Sequence, residues 1–307
     1  MAQARLDDVR EAFAEPLSAA LGASGVGALR LLSAPKSVAD DTTKVLAEDG
    51  AGRPTAVLLI SSALSPDLVA RGQDRARQAR EALGETLGDA VLIPVAEGTH
   101  DGCSWALLPF RRPLAEGRFA WWWERRSLAP AVTDWLEAAA AKTRREPLDS
   151  EISAGFEEPL VRALSFPDMA APVRDGARGG LEALESGSWR PNWVLAHNDL
   201  WKGNVLRSEG EHSPFVLIDW PASAVRGHAF FDLVRCARSF GLGRAPFARA
   251  LRRQATLLGC RPSDARFHLA AAVGHIGLIL EHMPPELYLR MASSAFETLA
   301  PVVEQAD

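Results

Sequence analysis

Two short runs hold residue types that could do chemistry together: HNDLWKGN at residues 197–204 and LIDW at residues 217–220. Each sits at the end of a short apolar stretch, 193–196 and 215–218, where polar side chains can converge on a ligand. With seven His, 18 Asp and three Asn in 307 residues, random placement yields roughly 0.004 occurrences of the spacing H-x-D-x-x-x-x-N. Phosphoryl transfer explains why these types belong together. A hydroxyl nucleophile needs a carboxylate to orient it and accept its proton, and a triphosphate needs Mg²⁺ held by hard oxygen ligands. Asp199 suits the first task, Asn204 and Asp219 the second. Gly203 lets the backbone turn tightly between base and amide, and Lys202 can add positive charge near the transferring group. The competing reading is a pair of ordinary strand-end caps and turns, where Asp and Asn are common.

The same residues resemble the aminoglycoside phosphotransferase and choline kinase branch of the protein-kinase-like fold, which includes the fructosamine-kinase-like enzymes. HNDLWKGN and LIDW carry the resemblance, with GHAFFDL at residues 227–233 matching the family's G-x-x-x-x-D-L element. The resemblance implies that Asp199 is the catalytic base and that His197 braces its loop. It further implies that Asn204 and Asp219 bind magnesium and that Asp232 is a buried structural carboxylate. Glu81, in the REA of residues 80–82, corresponds to the glutamate that partners the family's phosphate lysine. Nucleotide, ATP with GTP as the alternative, is then expected in a cleft between two lobes. Leu108–Arg111, including Phe110, would line its adenine side.

One departure from the family stands out. The strand expected to carry the phosphate lysine reads AVLLIS over residues 56–61, and the chain has only four lysines. A hairpin turning about Ala51 sets Lys44 opposite Leu58 on one face of the sheet, so Lys44 can replace the missing cation from the neighbouring strand. The bland alternative is a solvated strand lysine. Lys36 is the second candidate, in a turn that lacks the glycines of a phosphate-cradling loop. The missing lysine keeps open a second reading, a nucleotide-binding pseudokinase acting as a regulatory module.

The elements that must position these residues follow from patterning. Leu6, Val9, Phe13, Leu17 and Leu21 recur at helical spacing. Strand patterns follow at 27–32, 42–48 and 55–61, the last two joined by the turn DGAG. A charged helix is expected from Ser65 to Leu83, before Gly84, then strands at 91–95 and 104–110. Helices at 129–142, 152–164 and 169–184 precede the two apolar strands of the motifs, and three more helical stretches close the chain. This order predicts an α+β, two-lobed protein-kinase-like fold. Residues 1–110 form an antiparallel β nucleotide-binding lobe with one main helix, and residues 111–307 a mainly helical catalytic and substrate-binding lobe.

Composition narrows the partners. Hydrophobic residues make up 47% and charged residues 24%, enough for a globular core and unlike a disordered chain. The net charge of −5 comes from the first 110 residues, which argues against nucleic acid as a partner. No stretch has the apolar length of a membrane span, and the first residues lack a signal-peptide pattern. Three cysteines without metal spacing fit a reduced compartment. A cytoplasmic enzyme acting on a small-molecule hydroxyl is the expectation. Charge balance beyond residue 110 favours a neutral or anionic acceptor such as a sugar, glycated amine, nucleoside-type antibiotic or metabolite over a polycation. Five arginines around Trp121–Trp123 could wall such a site, although a helix packing its tryptophans on the core explains them more simply.

Overall fold

The computed structural model describes residues 2–22, 26–33, 42–208, 210, 213–280 and 283–306. The chain divides into two compact units that interleave in sequence: Met1–Gln78, Val91–Arg112 and Ile218–Pro221 form the first, and Ala79–Ala90, Pro113–Leu217 and Ala222–Asp307 the second. The protein is α+β, with a single five-stranded antiparallel sheet and many helices.

In the first unit the sheet runs in the order β1 (Leu29–Ser33), β2 (Thr43–Glu48), β3 (Pro54–Ile60), β5 (Cys103–Pro109), β4 (Ala96–His100). Period-two alternation turns Val45, Ala47, Ala56, Leu58 and Leu107 to one face. There they pack with Phe13 and Leu17 of the N-terminal helical segment. That segment breaks at Phe13 into α1 (Ala2–Ala12) and α2 (Ala14–Leu21), leaving Pro16 in the first turn of α2, where its missing N–H has no intrahelical partner to lose.

The β2–β3 register differs from the expected one. Glu48 faces Pro54, as a turn about Ala51 requires, but an irregularity admits Thr55 before Ala47 pairs with Ala56. The Thr55 hydroxyl donates to the Ala47 carbonyl at 3.0 Å. Lys44 therefore pairs with Leu59, not Leu58, and lies on the sheet face opposite the Phe13 cluster.

Two further expectations shift. The strand expected at 91–95 contains Pro94, which cannot donate to a ladder, and the chain pairs instead at Ala96–His100. That edge strand is almost wholly exposed, so it carries no hydrophobic alternation to reveal it. Helix α3 (Leu68–Gly88) starts three residues after Ser65, because its leading N–H groups are capped from elsewhere. Val69 donates to Ser61 Oγ at 2.9 Å and Ala70 to Ser104 Oγ at 3.1 Å. The two hydroxyls lie 2.8 Å apart, bridging the ends of β3 and β5. At Gly84 the trace turns left-handed (φ 72°) and then resumes helical form.

The second unit contains α4 (Arg118–Thr143), α5 (Asp149–Ile152), a π-helical turn at Ser153–Glu157, α6 (Glu158–Ser165) and α7 (Ala171–Glu185). Then come β6 (Trp193–Ala196), β7 (Val205–Arg207), β8 (Phe215–Leu217) and β9 (Ala224–His228). The helices α8 (Phe231–Phe240), α9 (Arg244–Leu258), α10 (Ala265–Leu278) and α11 (Pro285–Ala306) complete it. Helix α4 starts at Arg118 rather than at Ala129. Its first three turns leave Phe119, Trp122 and Trp123 exposed, and its buried stripe begins only at Leu128, so the early turns have no apolar period. β6 pairs with β9 and β7 with β8, giving two short ribbons that end at the two motifs. A Cβ at Gly227 would lie 2.4 Å from Ala196 Cβ, so glycine lets β9 close on β6.

Candidate active site

All four residues of β6 are buried, which fixes the point where His197 leaves the core. The His197 N–H donates to Asp232 Oδ2 at 2.6 Å, tying the loop to the first turn of α8. Asp232 is buried, and Phe230, two residues before it, holds a left-handed conformation (φ 67°) ahead of that helix. The Asp232 carboxyl is raised to about 6: burial drives it up, and the His197 N–H, the Arg235 charge and the Asn198 N–H offset part of that rise. Asn198 is left-handed too (φ 63°), and its amide donates to the Ala222 carbonyl at 2.8 Å. The Asp199 N–H donates to His197 Nδ1 at 3.3 Å, which leaves the proton of a neutral ring on Nε2.

The structure brings Asp199 and Asn204 together. Asn204 Nδ2 donates to the Asp199 carbonyl and to its Oδ2, both at 2.9 Å. With its NH₂ so committed, the amide oxygen of Asn204 is the end left to face a cation. The other oxygen of Asp199, Oδ1, forms a close ion pair with Arg235, a residue the sequence motifs did not single out. The backbone N–H of Lys202 donates to Ser239 Oγ at 3.1 Å, and its ammonium lies 5.2 Å from the centre of the Trp121 ring. A Cβ at Gly203 would lie 2.4 Å from the Trp201 indole, so glycine admits that ring over the loop.

Asp219 and Lys44 belong to the first unit. Asp219 is left-handed at φ 68°, a conformation costly for a residue with a side chain. Solvent reaches Asp219, yet desolvation by the surrounding protein raises its pKa, and the charge of Lys44 pulls in the opposite direction. Lys44 thus acts on Asp219 from β2. Val205 pairs with Leu217, so Asn204 precedes, and Asp219 follows, the paired end of one short ribbon.

The remaining candidates are placed as follows. Lys36 lies outside the described residues. The Phe110 N–H donates to the Thr55 carbonyl at 2.9 Å and its carbonyl accepts from Arg111 at 3.0 Å, so both backbone polar groups are already engaged. Glu81 is exposed on α3. The buried polar group on that helix is Gln73, whose amide oxygen has no partner among the described residues. Its neighbour Gly72 approaches Pro221, two residues after Asp219, at a point about 13 Å along the helix axis from Glu81. Gln73 has a sequence signal, a polar residue on the apolar stripe of α3, that a search for acidic residues passes over.

No helix among the described residues is long and apolar enough to cross a membrane. No family model matches the sequence, and no curated protein matches it. Solved structures do match the fold across nearly the whole chain. A thermostable mutant of aminoglycoside phosphotransferase APH(4)-Ia, without ligand, aligns with TM-score 0.56 at 14% identity, covering 98% of each chain. A variant of the same enzyme in ternary complex with AMP-PNP and hygromycin B aligns with TM-score 0.54 at 13% identity, covering 97% of each chain. A choline/ethanolamine kinase family protein from Mesorhizobium loti aligns with TM-score 0.52 at 14% identity, covering 97% of this chain and 94% of that one. The chain therefore has the protein-kinase-like fold that aminoglycoside phosphotransferases and choline kinases share.

Proposed function

We propose that the protein is a phosphotransferase that moves the γ-phosphate of ATP to a hydroxyl of a small molecule. The observation that carries this reading is the fixed Asp199 carboxylate. One of its oxygens is held by Asn204, and the loop carrying it is braced through His197 and Asp232. In the reaction the acceptor hydroxyl gives its proton to Asp199, its oxygen bonds to the γ-phosphorus, and the bond from that phosphorus to the bridging oxygen breaks to release ADP. Lys44 would contact the phosphates from β2, in place of a lysine on β3, and Lys202 would lie near the transferring group. The AMP-PNP complex of a structure with the same fold supports nucleotide as the donor.

The donor set suits magnesium. Asn204 offers an amide oxygen whose NH₂ is already committed, and Asp219 a partly desolvated carboxylate that gains from a nearby cation. Magnesium takes few protein ligands and completes its shell with phosphate and water. When bound, Mg²⁺ would neutralise charge on the β- and γ-phosphate oxygens.

Calorimetric titration with ATP, with and without Mg²⁺, followed by an acceptor screen, tests the proposal. Mg²⁺-dependent binding is expected, weakened in Asp219→Asn, with transfer lost and nucleotide affinity kept in Asp199→Asn. Transfer at the full rate in Asp199→Asn would refute the role of the base, and absence of binding to ATP and GTP would refute the reading. One observation, the lack of a lysine on β3, favours a pseudokinase instead. Mg²⁺-dependent binding with no transfer to any acceptor would select it.

A further inference from the structure

The base of the proposed reaction is capped by its own protein. Asp199 Oδ1, the carboxylate oxygen that Asn204 does not take, is paired with the Arg235 guanidinium. Arg235 stands one turn after Asp232 on α8, so the carboxylate that braces the loop and the cation that covers the base share one helix face. Its Nε is buried and has no hydrogen-bond partner among the described residues, so the guanidinium holds unused donor capacity. Next to it, Lys202 is tied through its backbone to Ser239 of the same helix, with its ammonium over Trp121. Trp201 and Lys202 follow Asp199 by two and three residues, so a second cation, with Trp121 against its ammonium, belongs to the same loop.

This arrangement selects by charge. A polycationic acceptor would meet Arg235 and Lys202 and would have to share Asp199 with an existing cation. A carboxylate or phosphate on the acceptor meets the opposite situation, because the planar fork of arginine matches those groups with two parallel hydrogen bonds. We propose that the acceptor is a hydroxyl compound bearing a carboxylate or phosphate, and that Arg235 passes from Asp199 to that group as the acceptor binds. This rests on the phosphotransferase reading above. The exchange frees Asp199 Oδ1 for the acceptor hydroxyl. With no acceptor bound, the pair keeps the base from activating water against ATP.

Four matched probes test the proposal by calorimetry on the whole chain: glycerol 3-phosphate, glycerate, glycerol and 2-amino-1,3-propanediol. The two anions separate a phosphate-bearing from a carboxylate-bearing acceptor. Saturable binding of at least one anion is expected, about tenfold or more weaker in Arg235→Gln, the size of one charge-assisted hydrogen bond. Binding should recover in part in Arg235→Lys, which keeps the charge and so also controls for folding. It should be unchanged in Arg238→Gln, whose side chain lines a separate recess with Glu297 and Thr298. Absence of an Arg235-dependent response to either anion, or binding of the amine in preference to both, overturns the proposal. Mg²⁺–ATP titration of the same samples separates the two readings. Arg235-dependent anion binding without nucleotide binding would sink the phosphotransferase and keep the anion subsite, whereas nucleotide binding with Arg235-independent acceptors would do the reverse.

Discussion

Replacing Asp232 with asparagine removes the buried carboxylate that ties down the loop at residues 197–204 while keeping an oxygen to accept the His197 N–H. The folded carboxyl titrates at about 6 against an ordinary value of 3.8, with burial as the largest cause. A rise of about two units at 1.36 kcal/mol each corresponds to about 3 kcal/mol. Between these two values the folded state holds a proton that the unfolded chain has released, so stability falls as pH rises. The full contribution is present below about pH 4 and is lost once pH passes about 6. Wild type should therefore lose about 3 kcal/mol relative to Asp232→Asn between about pH 4 and pH 7. Urea unfolding of both proteins across that range measures the difference, in which the titration of other groups cancels. A difference that stays flat, or grows in favour of wild type toward neutral pH, would refute the assignment of burial as the dominant cause.

Gly227→Ala places a methyl 2.4 Å from Ala196 Cβ, so it should destabilise by about 1–3 kcal/mol and lower Tm in a thermal melt. Phe13→Ala empties the contact with Val45, Leu58 and Leu107 and should cost about 3–5 kcal/mol in chemical denaturation. Lys44→Ala should weaken Mg²⁺–ATP binding by about tenfold in calorimetry. It should also raise the Asp219 pKa further, since Lys44 is the influence holding it down, and carboxyl-carbon NMR reads that shift.

The candidate loop was legible because its residues are local: the proposed base, its amide partner and the turn glycine fall within eight residues, and apolar strands announce both motifs. Strand pairs with a buried face were legible for the same reason, as β2 and β3 show. What escaped depended on contacts between distant residues or on exposed elements. Arg235 lies 36 residues from Asp199, and nothing near it in sequence states that α8 faces the loop. The inserted Thr55 shifted the β2–β3 register by one residue, which moved the partner of Lys44 from Leu58 to Leu59. The edge strand β4 and the first turns of α4 bury too little for hydrophobic periodicity to mark them.

The serine pair at the head of α3 bears on how the chain folds. Ser61 precedes Val69 by eight residues, but Ser104 follows Ala70 by 34, and Ser104 also donates to the Pro66 carbonyl at 2.9 Å. The first turn of α3 thus has no complete cap until β5 has docked beside β3. Closing that long loop carries an entropic cost that a cap drawn from the adjacent sequence would not. Nucleation at that end of the helix is in this way made conditional on assembly of the sheet, and the helix N-terminus should gain its amide-exchange protection together with β5 rather than ahead of it.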